Sequence, residues 1–246
     1  MDLSPSRSQS TERSNDWSQV VFGLLYAVPS RNGVYKAPSF HGKGCRLVNM
    51  GEMFGYDFIS DQEMNRVALT AAELAISTLQ DGDLLFGRRS VVEAGAGKCS
   101  LVVSPTSPLA FESSIIRVRL KADIAIPFFF YYFFNSPEGR QSIRNIVSGT
   151  NVKGIRGSEL RCILVPLPSP PEQRAIAAAL SDVDALIDSI DRLIAKKHEL
   201  KQAAMQQLLT GEVRLPGFSG TWERRRLGGF TPSYSQPEWC PPPAEP

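Results

Sequence analysis

The chain has 246 residues and a mass of 27.1 kDa, with 42% hydrophobic residues, 21% charged residues and a formal net charge of +2. Such a chain has room for one ordinary domain plus an appendage, and its composition is that of a folded protein, not a fibrous or wholly disordered one. The small net charge excludes a strong overall basic field, so a nucleic-acid partner would have to be met by positive charge gathered locally. Cys45, Cys99, Cys162 and Cys240 are widely spaced with no C-x-x-C, and His41 and His198 are the two histidines. That pattern indicates neither a zinc site nor a disulfide framework, and reduced cysteines are expected.

In chain order, residues 1–15 read as a disordered leader. Residues 1–13 lack the apolar core of a secretion signal, and the longest apolar run, Ile124 to Phe134, is about half of a membrane span. A cytoplasmic location is therefore expected.

Residues 16–168 carry the mixed signals of one α/β (α+β) domain. Short strands are predicted at Arg46–Met50 and Asp83–Phe86. Ile116, Val118 and Leu120 alternate with Arg117 and Arg119 as in a half-buried strand. Helices are predicted over Ala68–Leu79, Pro127–Asn135 and Pro137–Val147, with glycine-rich loops at 42–44, 95–97 and 149–157. The run PFFFYYFFN holds seven consecutive aromatics with no Lys or Arg between them. Bases can stack on such rings, but an uninterrupted run predicts a helix buried on all sides, because each ring contributes a few kcal/mol when covered and invites aggregation when exposed.

Residues 169–211 read as one long helix. Ser169, Pro170 and Glu172 form a start signal of the capping-box type with proline at the first helical position, and Gly211 followed by Pro216 supplies the stop. Ile176, Leu180, Val183, Ile187, Ile190 and Ile194 recur at alternating spacings of four and three, with Leu186, Leu193, Leu200, Ala204 and Leu208 widening the stripe. That is a coiled-coil period, although Lys197 and Lys201 interrupt its first seam. Asp182, Asp184, Asp188 and Asp191 fill the first half and Arg192, Lys196, Lys197 and Lys201 the second, which suits the helix dipole and an antiparallel copy. About 39 residues at roughly 1.5 Å each make a rod of about 58 Å, longer than a domain of this size needs for its own core. Residues 212–246 echo the start of the domain, since W-x4-L-G at Trp222 matches W-x4-F-G at Trp17, and then become a proline-rich tail.

Catalytic signatures are missing. Gly95-Ala96-Gly97-Lys98-Cys99 lacks the glycine and the Ser or Thr of a phosphate loop, having Val92 and Cys99 at those positions. An acid two before a lysine, as in metal-dependent nucleases, occurs at Glu199 and Lys201 on the pairing helix. No nucleophile elbow, dinucleotide fingerprint or metal-ligand cluster is present. What remains are polar and basic loops, from which base contacts would come: Arg31 and Asn32 with Lys36, Lys43, Arg88 and Arg89, Lys98, and Asn151 and Lys153 with Arg156. Arg and Asn read guanine and adenine edges in a major groove, while Lys and glycine N–H groups suit phosphates.

Together, SGTNVKGIRGSEL at 148–160, VPLPSPPEQRAIAAAL at 165–180, the K-x-x-L-K-x-x-x-M-Q-x-L-L-T-G series ending at Gly211, VPSRNGVYK at 28–36 and GDLLFGRRS at 82–90 resemble the specificity subunit of Type I restriction-modification enzymes. The resemblance covers roughly residues 16–228. It implies a non-catalytic, DNA-binding target-recognition domain followed by a spacer helix. Family members usually carry two such domains, whose helices pack antiparallel so that each domain reads half of a split site in double-stranded DNA. S-adenosylmethionine, ATP and Mg belong to partner modification (methyltransferase) and restriction subunits, and no cofactor or metal is expected in this chain.

The resemblance further implies that Ile176, Leu180, Val183, Ile187, Ile190, Ile194 and Leu208 face a partner helix. A single domain and helix leaves two forms open, a half subunit that homodimerises on an inverted-repeat site or a truncated chain that needs a complementary half. The rivals from other classes are a helical protein-protein adaptor without DNA affinity and a nuclease with an unfamiliar centre.

Overall fold

The computed structural model of the chain describes residues 17–91 and 95–223. The expected leader and the tail after Gly229 lie outside the described residues, as does most of the W-x4-L-G echo. The chain divides into two compact units, one ending at Asp184 and the other beginning at Ala185. No helix among the described residues is long and apolar enough to cross a membrane.

The first unit is a mixed α/β domain. Its elements run β1 (Ser18–Val21), β2 (Tyr26–Asn32), β3 (His41–Val48), α1 (Met50–Gly55), β4 (Phe58–Ile59), β5 (Arg66–Val67), α2 (Ala71–Ser77), β6 (Leu84–Gly87) and β7 (Arg89–Ser90). They continue with β8 (Cys99–Val102), β9 (Leu109–Phe111), β10 (Ile115–Leu120), α3 (Pro127–Asn135), α4 (Pro137–Arg144), β11 (Lys153–Gly154), α5 (Gly157–Leu160), β12 (Leu164–Leu167) and the start of α6 (Pro170–Leu209). Five strands in the order β2-β10-β6-β8-β4 form the central sheet, antiparallel except where β4 lies parallel to β8. A smaller sheet, β5-β3-β9, pairs β3 with β9 in parallel. Two ribbons, β1 with β12 and β7 with β11, complete the unit. The first joins the beginning of the domain to the segment that leads into α6.

The aromatic run becomes α3 over the predicted span, with Pro127 in the first turn, where its missing N–H leaves no bond unmade. Phe129, Phe130, Tyr131 and Phe134 are buried, and the rings of Phe130, Tyr131 and Phe134 meet Phe22, Phe58 and Phe86 in tilted and edge-on contacts. Burial on all sides is corrected: Phe128, Tyr132 and Phe133 are half-buried, and the Tyr132 hydroxyl donates to Asp184 at 2.7 Å.

The larger correction is β10. Ile116, Val118 and Leu120 join the aromatic core as expected, but the arginine face does not open flat to solvent, because Arg117 and Arg119 line a hollow bordered by Ala75 and Ile76 of α2. Arg117 is only 6% exposed. Arg119 donates Nε and Nη2 to the two carboxylate oxygens of the fully buried Asp83, at 2.7 Å each.

Other boundaries move for local reasons. The helix predicted from Ala68 starts after Thr70, whose hydroxyl accepts the Glu73 N–H while the Glu73 carboxylate accepts the Thr70 N–H. Asn49 and Glu52 make the same reciprocal cap ahead of α1, so Met50 begins a helix and does not end a strand. Residues 42–44 belong to β3, where Gly42 and Gly44 take positive φ of 91° and 93° and both His41 and Cys45 pair with Val67. They form a bulge within the strand, not a loop.

α6 is seated by Gln173, which is completely buried. Its Oε1 accepts the Ile126 N–H at 2.8 Å, and its Nε2 donates to the carbonyls of Ile124 and Pro168 at 3.0 and 2.8 Å. Glu172 accepts the indole N–H of Trp17 at 3.1 Å, and Ala177 is buried beside them. Ile176 packs on the aromatic core of its own domain, which sets it apart from the other stripe residues, while Leu180 and Val183 are exposed.

In the second unit Leu186, Ile187, Ile190, Leu193, Ile194 and Leu200 are 46–59% exposed, and Leu208 is half-buried. Gly211, at φ +77°, follows the end of the helix, and a Cβ there would meet the Trp222 indole at 2.9 Å.

Candidate nucleic-acid interface

The β7–β11 ribbon gathers basic residues that lie more than sixty positions apart in sequence. Lys153 stands opposite Ser90 and Gly154 opposite Arg89, and the Ile155 N–H donates to the Arg88 carbonyl at 3.0 Å. One hollow of about 390 Å³ is consequently walled by Arg88, Arg89, Lys153 and Arg156.

Its outer wall is a narrow hairpin. Ser148 and Gly154 exchange two backbone hydrogen bonds of 2.9 Å, leaving Gly149 to Lys153 as the tip. Glycine is required at both ends: Gly149 has φ +106° and no room for a Cβ against the Val152 carbonyl, and a Cβ on Gly154 would meet the Arg88 carbonyl at 2.8 Å. Asn151 is exposed at the tip.

The four cations are differently held. Arg89 is exposed, whereas Arg88 donates Nη1 to the Ser113 carbonyl at 3.2 Å. Arg156 pairs with Glu159 at 3.1 Å but is 73% exposed, and a surface pair of this kind is worth about 0–1 kcal/mol, so it yields readily to a phosphate.

The remaining sequence-derived candidates are placed elsewhere. Lys36 is committed to Glu73 at 2.7 Å and lies over the Phe40 ring, and it holds the Glu73 carboxyl down at about 2, helped by the Thr70 N–H and hydroxyl. Lys98 pairs with Asp57 at 3.2 Å. Lys43 is exposed on β3. Arg31 and Asn32, expected in a loop, end β2 at the edge of the central sheet, and Arg31 lines a second hollow with Arg117 and Arg119. The sequence reading missed that second arginine group, since an alternating strand with arginines on one face looks half-exposed until the bordering helix is known.

Among the described residues no group of His, Cys, Asp or Glu is placed to hold a metal ion. The Gly95–Lys98 turn leads into strand β8, whereas a phosphate loop opens a helix. Cys99 is fully buried and its thiol is pushed up by burial, which makes it a poor nucleophile.

The described residues thus combine a mixed α/β domain that carries a basic ribbon with a helix that carries exposed aliphatic residues. The chain belongs to the family described as the Type I restriction modification DNA specificity domain, which matches residues 47–200. It is 29% identical over 189 residues to the Type I restriction enzyme EcoKI specificity subunit of Escherichia coli K12, covering 74% of this chain and 40% of that one. It is 24% identical over 217 residues to the MjaVIII specificity subunit of Methanocaldococcus jannaschii, covering 85% and 49%. The crystal structure of a Type I restriction-modification S subunit from M. genitalium shares the fold, with a TM-score of 0.51 at 16% identity over 80% of this chain and 46% of that one. The chain thus spans less than half the length of these relatives. As a specificity-subunit chain it is non-catalytic.

Proposed function

We propose that this chain reads one half of a split duplex target for a cytoplasmic Type I restriction-modification system, with the β7–β11 ribbon as its reading edge. The observation that carries this reading is the convergence of Arg88, Arg89, Lys153 and Arg156 on one hollow beneath an exposed Asn151, in a chain of small net charge. Arg89 and Arg156 reach phosphates or guanine edges and Asn151 suits adenine, while Lys36 and Lys98, held in ion pairs, serve the fold. The exposed aliphatic face of α6 pairs with a second helix and docks the modification subunits, which bring S-adenosylmethionine, ATP and Mg with the restriction subunit. A homodimer on an inverted-repeat site follows if the second helix comes from another copy.

The test is duplex affinity as a function of salt for the wild type and for Arg89→Ala/Arg156→Ala, on duplexes selected from a random pool. Loss of about one salt-slope unit per phosphate contact, or of about 1–3 kcal/mol per base contact, supports the reading. A wild type with no salt-dependent duplex binding overturns it in favour of a helical adaptor. Light scattering on the same sample gives the mass, expected at about twice 27.1 kDa for the homodimer.

A further inference from the structure

Arg117 occupies an unusual place for a charged side chain. It stands on β10, an interior strand of the central sheet, is 6% exposed, and its Nε and Nη1 make no hydrogen bond. A buried guanidinium lacking a partner is strongly unfavourable, which is why buried charges are ordinarily paired and their donors satisfied. Two further guanidiniums border the same hollow of about 310 Å³, Arg119 beside it and Arg31 at the rim, with Ser30, Thr78 and Gln80 on the walls.

Arg31 and Arg117 are direct partners in the antiparallel β2–β10 register, an arrangement in which like charges destabilise a sheet. The fully buried Asp83 is no remedy, because both its oxygens are already taken by Arg119 and one also accepts the Gln80 N–H. Two positive charges are left unbalanced, and burial, with Arg119 and Arg31 adding to it, lowers the affinity of Arg117 for its proton against the opposing pull of Asp83. A tetrahedral oxyanion between Arg31 and Arg117 would turn the repulsion into a clamp and supply acceptors to the unbonded donors.

We propose that this hollow is a phosphate-binding site distinct from the β7–β11 ribbon, with Arg117 as its floor and Arg31 as its rim. The phosphate group has two possible sources with the same chemistry, a backbone phosphate of bound duplex or a free phosphate ion. The first source rests on the DNA-recognition reading; the site itself does not.

The experiment is thermal unfolding of the full chain in sodium phosphate and in sodium chloride at matched ionic strength, for the wild type, Arg117→Met and Arg31→Gln. Phosphate stabilises most folds slightly through exclusion from the surface, so the decisive quantity is the difference between chains. The wild type gains about 2–4 °C more from phosphate than either variant does, and Arg117→Met unfolds no lower than the wild type in chloride because an unpaired buried charge has gone. Equal increments in all three chains overturn the site. Should Arg117→Met fail to fold, Arg31→Gln, at the exposed rim, carries the comparison alone.

Duplex titration against salt then separates the sources. A slope smaller by about 0.9 in the variants assigns the site to a backbone phosphate, and an unchanged slope alongside a lost phosphate increment assigns it to a free ion. Absence of duplex binding by the wild type would sink the DNA reading without touching the phosphate increment.

Discussion

Strand β10 and the helix beyond Asp184 present opposite departures from ordinary burial. On β10 a guanidinium lies inside the domain with two of its nitrogens unbonded, while on α6 a file of leucines and isoleucines stands about half exposed in water. The first unit buries a large aromatic and aliphatic core and, beside it, more guanidinium than carboxylate. Each aliphatic side chain in the file is about half exposed, so covering the remainder would contribute about half of the roughly 1.5–3 kcal/mol of full burial. The two proposals accordingly differ in chemistry, an anion for the hollow at Arg117 and an apolar helix face for α6.

Substitutions can break that contrast. The largest effect is expected in the aromatic core, where Phe134→Ala should lower stability by about 3–5 kcal/mol in a denaturant titration, because its ring is fully enclosed between Phe22 and Phe86. Asp83→Ala should also lose about 3–5 kcal/mol, since it strands Arg119 beside Arg117 inside the sheet. A loss below 1 kcal/mol would mean that water reaches these guanidiniums freely and that their charge is not surplus.

Gln173→Ala removes three hydrogen bonds that seat the first turn of α6 and should cost about 1–3 kcal/mol, read in the same titration. Glu73 tests a surface charge. Lys36 and the Thr70 cap lower its carboxyl to about 2, below its ordinary 4.5, so its stabilising share is complete above pH about 4.5 and disappears as pH falls toward 2. Glu73→Gln should flatten that part of the acid-unfolding curve. Leu193→Ala, at dilutions where the chain is monomeric, should change stability by less than about 0.5 kcal/mol while lowering the mass seen by light scattering at higher concentration. A large loss in the monomer would show the stripe to be covered by its own chain, and the contrast would collapse.

The two long helical signals were the most legible parts of the sequence. The span of α3 was written in seven aromatics behind a proline, and that of α6 in a start proline, a stop glycine and an apolar period. The two-residue strands β4, β5, β7 and β11 were not legible, because two residues have no period and their pairing depends on partners remote in sequence. Asn49 with Glu52 and Thr70 with Glu73 were usable signals for two helix starts, and the second would have moved one boundary by three residues. The proposed site was half visible: Arg88, Arg89, Lys153 and Arg156 stood out as basic residues, but the ribbon that brings them together did not. Arg117 was masked by its own pattern, since Ile-Arg-Val-Arg-Leu looks the same whether the arginines meet open solvent or line a hollow beside a helix.

The hairpin neck at Ser148 and Gly154 gives the proposed reading edge a modular character. Two hydrogen bonds close the neck, Gly149 turns the chain, and Lys153 and Gly154 pair with Ser90 and Arg89, so the tip from Thr150 to Val152 hangs from a fixed frame. Doubling a flexible loop adds only about 0.6 kcal/mol of closure entropy. The tip can accordingly be lengthened, shortened or rewritten as an exchangeable cassette, changing what it touches while leaving the sheet that holds it undisturbed.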